Sequence, residues 1–257
     1  MANKAPRSVD AAMERASRAL SETAYFEAEA LAKGALTKAR RARDYATMAR
    51  IALPLQEARR QIRLRACDEP GVRVLDNATG LRTKPGPGCW LVCPPLLGID
   101  GSRLRAKAAR SRVPVMVLAR EPLVRSGDHA GRWPIVAVGE RRPGSLIRSG
   151  PSPLLTLRAY VEPPEGTAPD ASTPTRDRST RPIERAWFVA AQEALGDAAI
   201  ASLPADEPAP VRVDLLLDML EALPDHEKLL QRLEQECHEA LLAPVVERAR
   251  VRASSER

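Results

Sequence analysis

Aromatic residues, histidine and lysine are scarce in this chain: its 257 residues include three Trp, three Tyr, two Phe, three His and six Lys. So few rings exclude sequence-specific reading of single-stranded nucleic acid by base stacking. So few histidines, with no H-E-x-x-H pattern and no G-x-S-x-G elbow, leave the common zinc-hydrolase and serine-hydrolase constellations without their residues. No apolar run approaches the ~18 residues that cross a bilayer, so no membrane span is expected. The start Met-Ala-Asn-Lys-Ala-Pro lacks the charged-then-apolar pattern of an export signal, which makes a cytoplasmic location the expectation. The four cysteines, Cys67, Cys89, Cys93 and Cys237, are scattered, and in a reducing compartment they read as free thiols.

What is present is globular in composition, with 44% hydrophobic and 28% charged residues, enough for one to two domains with their own cores. The net charge is +7. Two readings of the basic excess compete: Arg richness from codon bias in a GC-rich genome, and a surface for polyanions. Its distribution is uneven. Residues 1–65 carry 14 cations and 7 anions, residues 66–165 carry 15 and 9, and residues 166–257 carry 11 and 17. A basic front and an acidic back can pair within one chain, or between two copies in a homo-oligomer.

The pattern predicts an α+β fold in four segments. Residues 8–65, rich in Ala, Leu, Arg and Glu, read as a helical hairpin with its turn at Arg41–Asp44. In its second helix Met48, Ile51, Leu55, Ala58 and Ile62 form one stripe, and Pro54 predicts a kink. Residues 71–165 read as a small mixed sheet, with strands at Val72–Asp76, Cys89–Cys93, Val113–Ala119, Pro134–Gly139 and Leu154–Val161. A helix at Ile99–Arg112, capped by Asp100 or Ser102, makes a βαβ unit between the second and third strands. Residues 166–181 have no apolar side chain larger than Ala and read as a linker. Residues 182–250 read as C-terminal helices, with one face of Ile183, Trp187, Ala191, Ala194 and Ala198, and another of Leu229, Leu233, Cys237 and Leu241.

Tyr25, Ala28, Ala32, Ala35 and Leu36 follow the spacing of the second helix of a tetratricopeptide repeat, and residues 9–65 resemble such a repeat. The resemblance implies a helix pair of that kind; an ordinary helical hairpin is the alternative. The loop Gly98-Ile-Asp-Gly101 and the helix after it resemble, more distantly, the G-x-x-G loop of RNA-binding KH domains, which implies backbone contacts to RNA.

No set of residues here predicts catalysis, a metal or a cofactor. Cys89 and Cys93 on one strand lie roughly 13 Å apart, too far to share a zinc at ~2.3 Å per sulfur. Cys93 ends a buried strand and reads as a core thiol, with a nucleophile at the sheet's carboxyl edge as the alternative. His129 falls in a polar turn. Gly98, Asp100 and Gly101 are the candidate ligand-binding residues, since the glycines admit a close ligand and a helix amino terminus favours an anion. Arg103, Lys107 and Arg110 are the candidate nucleic-acid contacts, joined by Arg40, Arg59, Arg63 and their neighbours. The first functional expectation is a nonenzymatic scaffold that meets a protein partner. The alternatives are nonspecific RNA or DNA binding, and a nucleotide-binding sensor or enzyme using the Gly98–Gly101 loop.

Overall fold

The computed structural model of the chain describes residues 4–122, 127–141, 152–167 and 182–242. The amino-terminal region is helical, but as α1 (Lys4–Ser21), α2 (Tyr25–Ala42) and α3 (Tyr45–Cys67). The two-helix expectation for residues 8–65 is corrected at Glu22–Ala24, where neither Gly nor Pro marks the break. Thr23 takes a left-handed φ of 58°, and the Ala24 N–H returns to Ala19 O at 2.8 Å. That reversal brings Ala19 of α1 onto Ala28 of α2 and Ala58 of α3, a patch of methyl groups across which three helices approach closely. Arg43, with a left-handed φ of 54°, and Asp44, whose Oδ1 accepts the Thr47 N–H at 3.0 Å, make the second reversal where the spacing places it. α3 runs on through Pro54.

The sheet follows the expected runs closely: β1 (Val72–Leu75), β2 (Gly88–Val92), β3 (Val115–Arg120), β4 (Trp133–Glu140) and β5 (Leu154–Val161), side by side in that order. β1, β2 and β3 are parallel, and β4 and β5 return antiparallel. A short helix, α4 (Ala78–Arg82), lies between β1 and β2, and α5 (Gly98–Arg110) crosses between β2 and β3. The two-residue pleat divides the apolar strands between two cores. Cys89, Leu91, Met116, Leu118, Trp133 and Ile135 enter the large one, shared with helices from both ends of the chain. Val92, Val115, Val117, Ala119 and Val136 enter the smaller one under α5. β2, β3 and β4 are therefore covered on both faces, as continuous apolar runs require.

The C-terminal helices are α6 (Arg185–Ala201), α7 (Ala209–Ala222) and α8 (Glu227–Leu242). The linker assigned to residues 166–181 lies almost wholly outside the described residues, as does 243–250. Two faces are corrected. α6 buries Phe188, Ala191, Leu195 and Ala199, a stripe turned by about one residue from the expected one, because Phe188 and Leu195 offer more apolar area than Ala194 and Ala198. On α8, Leu229, Leu233 and Cys237 are buried but Leu241 is 50% exposed. Steps of four advance ~40° beyond a full turn each time, so a strict i, i+4 row winds off the buried side. His226 precedes α8 and caps it: its Nδ1 accepts the Leu229 N–H at 3.3 Å, and the ring is fully buried over Gly196.

Residues from all three folded segments meet in the large core, where α3 packs on α8, and α6 and α7 on β5 and β4. At Gly139 of β4 two stretches of backbone come close: an added Cβ would stand 2.4 Å from Ala222 N and 2.7 Å from Glu221 C. Backbone cannot yield there as a side-chain tip can. Gly139→Ala is expected to cost about 1–3 kcal/mol or more through overpacking. Gly34→Ala, in α2 with nothing within 4 Å, should instead stabilise by up to about 1 kcal/mol. Urea unfolding of the two variants checks the opposite signs.

Candidate functional site

Where α2, α3, α5 and the end of α7 come together they leave a cleft of about 320 Å³, at the lower end of the size range of small-molecule sites. Phe26, Ile62, Val113, Val115 and Leu220 supply apolar wall, while Lys33, Arg59 and Arg105 face Glu29, Glu140, Glu221 and Asp225. Val113 and Val115 stand at the amino end of β3, and Glu140 ends the antiparallel β4. The cleft thus lies at the opposite edge from the carboxyl ends of β1–β3, where parallel sheets usually bind ligands.

Arg59 is there because α3 is helical. It stands four residues after Leu55 and three before Ile62, in register with the apolar stripe, and is 5% exposed. Its Nε donates to Glu29 Oε1 at 3.0 Å, but its Nη1 has no hydrogen-bond partner. Arg105 Nη2 donates to Val138 O at 3.1 Å and to Glu221 O at 2.9 Å, pinning the last turn of α7 to β4. Burial draws the Arg105 pKa down, and the charges of Asp225 and Glu221 oppose that. Burial pushes the Asp225 carboxyl up to about 6, with Arg105 the main counterweight. Lys33 Nζ meets Glu221 Oε2 at 2.8 Å. The arrangement offers a buried guanidinium donor and a carboxyl that changes charge near pH 6, in a wall of mixed sign.

α5 turns three sides to three tasks, and the residues expected to bind ligands lie on the other two. Gly98 and Gly101 are buried against the sheet: a Cβ on Gly98 would stand 2.7 Å from Val138 Cγ2, and one on Gly101 3.5 Å from Val117 Cγ1. Asp100 is the helix's own cap, as its Oδ2 accepts the Leu97 N–H at 3.0 Å and its Oδ1 pairs with Arg103 at 3.1 Å. Ser102, the other expected cap, lines the cleft instead. Lys107 Nζ is taken by Leu81 O and Arg82 O at 3.1 and 2.7 Å, closing the end of α4, and Arg110 is exposed. Only Ser102, Arg105, Ala106 and Ala109 of this helix reach the cleft. Arg59 was legible as a cation inside an apolar stripe; Glu29 and Asp225 carried no such signal.

Elsewhere, Cys93 is fully buried, and burial pushes its thiol up to about 12. His129 stacks on Tyr160 at 3.8 Å in an exposed turn. Among the described residues no three His, Cys, Asp or Glu side chains converge to hold a metal ion. No family model matches the chain, and no curated protein or solved structure is significantly similar to it.

A carboxyl raised in the folded state binds its proton there before it does in the unfolded chain, so Asp225 adds stability as pH falls from about 7 toward 4, and that contribution is lost as pH rises through about 6. The wild type minus Asp225→Asn difference in unfolding free energy should therefore shift in favour of the wild type by on the order of 1 kcal/mol across that window. Chemical unfolding at a series of pH values checks it, and a flat difference would place Asp225 in ordinary solvent.

Proposed function

We propose that this chain binds a small molecule of mixed charge in the cleft, with an anionic group on Arg59 and a donor or cationic group on Asp225. The observation that carries the reading is the Arg59 Nη1 donor, left without a partner on a residue 5% exposed in the cleft wall. An unmade hydrogen bond on a buried charged group costs about 1–3 kcal/mol or more. An acceptor brought by a ligand would recover that cost on binding. The lining carries Lys33, Arg59 and Arg105 against Glu29, Glu140, Glu221 and Asp225, a balance suited to a zwitterion and unsuited to a chain of phosphates.

The same pairing weighs against the nucleic-acid alternative. Arg40 meets Asp214 at 2.7 Å, Arg59 meets Glu29, and Arg63 meets Glu193 at 3.0 Å. Arg65 lies over the Tyr25 ring at 4.5 Å. Arg40, Arg63 and Arg65 thus have partners within the chain, and Arg59 lies buried in the cleft wall instead of on an open basic face.

The scaffold reading keeps one observation in its favour. Leu53 and Leu64 are 67% and 47% exposed on α3, and eleven residues bring them to the same side of a helix. If this stripe is a contact between copies of the chain, sedimentation should show self-association at micromolar concentration that Leu53→Asp with Leu64→Asp abolishes. A monomer in both would remove the stripe as a self-contact.

The ligand reading is tested by calorimetry and thermal unfolding with amino acids, betaines and dipeptides as probes. At least one should raise the melting temperature, with Arg59→Met weakening its binding about tenfold or more while circular dichroism is unchanged. A panel without effect, or an Arg59→Met chain that binds as the wild type does, would refute it.

A further inference from the structure

Cys89, Cys93 and Cys237 are buried, but Cys67 is only partly so. It is the last residue of α3, where that helix descends onto β2 and β3. Its Sγ lies 3.4 Å from Met116 Sδ. Met116 is the lateral partner of Cys89 across the parallel β2–β3 pair, and both side chains enter the large core. Strands are ~4.8 Å apart, so one helix-terminal thiol sits over two neighbouring sulfur side chains. The Cys67 and Cys89 thiols are near enough to shift one another's acidity.

The charges around this pair favour a thiolate on the exposed member. The neighbouring Cys89 thiol draws the Cys67 pKa below the ordinary thiol value against the opposing pull of burial, with the Arg63 and Arg185 charges assisting and Asp68 resisting. Arg185 Nη1 also donates to Cys67 O, which keeps its guanidinium at the helix end. Cys89, buried behind it, is pushed up and stays protonated. A low-pKa, accessible thiol beside a second thiol is the arrangement of a reversible oxidation site.

We propose that Cys67 and Cys89 form a reversible dithiol–disulfide pair, with Cys67 the thiol that reacts with a hydroperoxide and Cys89 the thiol that resolves it. The Cys67 thiolate attacks one oxygen of hydrogen peroxide and the O–O bond breaks, leaving a sulfenic acid on Cys67 and hydroxide, which takes up a proton as water. Cys89 sulfur then attacks Cys67 sulfur, the S–O bond breaks, and the sulfenic oxygen departs as water with the Cys89 proton. Two electrons have passed from the two sulfurs to one peroxide. An external dithiol reverses the pair by exchange.

The test uses the reduced full-length chain, dilute hydrogen peroxide at neutral pH, alkylation of remaining thiols and mass spectrometry of the intact chain and its peptides. Against the reduced and fully alkylated chain, a mass lower by two alkyl additions and two hydrogens is expected, with a peptide linking Cys67 to Cys89, restored by dithiothreitol. In Cys89→Ser the product should be a Cys67 sulfenic acid that dimedone traps; in Cys67→Ser peroxide should leave the cysteines unchanged. Iodoacetamide should modify Cys67 of the untreated wild type well before Cys93 and Cys237, with a half-maximal rate at a pH below the ordinary thiol value, a readout that requires no variant to fold. Four free thiols after peroxide, a disulfide between two chains, oxidation confined to Met116, or a Cys67 alkylation profile centred near the ordinary thiol value would each overturn the proposal.

Discussion

α3 is packed against α2, α8 and the inner strands at once, yet it carries Arg59 and Arg63 on sides with little access to water. A guanidinium taken out of water unpaired costs several kcal/mol, so each of these must meet a carboxylate from elsewhere in the chain. Glu29 of α2 answers Arg59, and Glu193 of α6 answers Arg63. Arg40 with Asp214 and Lys33 with Glu221 repeat the pattern between α2 and α7. Three of these four pairs join the basic first 65 residues to the acidic last third. The uneven charge is thus in part an internal matching of two ends, and the positions of α6 and α7 over the sheet depend on it as well as on apolar area.

The cleft is a consequence of how the two layers of helices close around the sheet's edge. α5 covers one face and α7 the other, and they are tied where β4 ends: Gly139 lets Ala222 come close, and Arg105 bonds to carbonyl oxygens of both β4 and α7. Beside that tie lies the cleft, whose wall holds Lys33, Arg59 and Arg105 together with Glu29, Glu140, Glu221 and Asp225. Glu29 satisfies one edge of the Arg59 guanidinium and leaves Nη1 over. A second chemistry, the paired thiols at the end of α3, lies on the same helix beyond Arg63 and shares that arginine's charge.

Much of the secondary structure was legible from local pattern. Runs such as Cys-Trp-Leu-Val-Cys announce a strand covered on both faces, and β5 coincides with its expected bounds. The break between α1 and α2 was not legible, because Thr23 has no turn chemistry of its own and only the methyl contacts of Ala19, Ala28 and Ala58 favour reversing there. The glycines of α5 misled for a related reason. Gly-x-x-Gly at a helix start permits a close ligand or a close strand, and nothing within the motif separates the two.

The sequence alone therefore determined the α+β class, the five strands, the crossover helix and the sign of charge at each end, since these follow from propensity and periodicity over neighbouring residues. Which cations are consumed in pairs, which face of α5 looks into a cleft, and which sulfur atoms touch were decided only by the tertiary structure. Those properties belong to residues that meet from distant parts of the chain, such as Arg59 with Glu29 or Cys67 with Met116. Their energies turn on burial and distance, and neither is set until the helices have closed on the sheet.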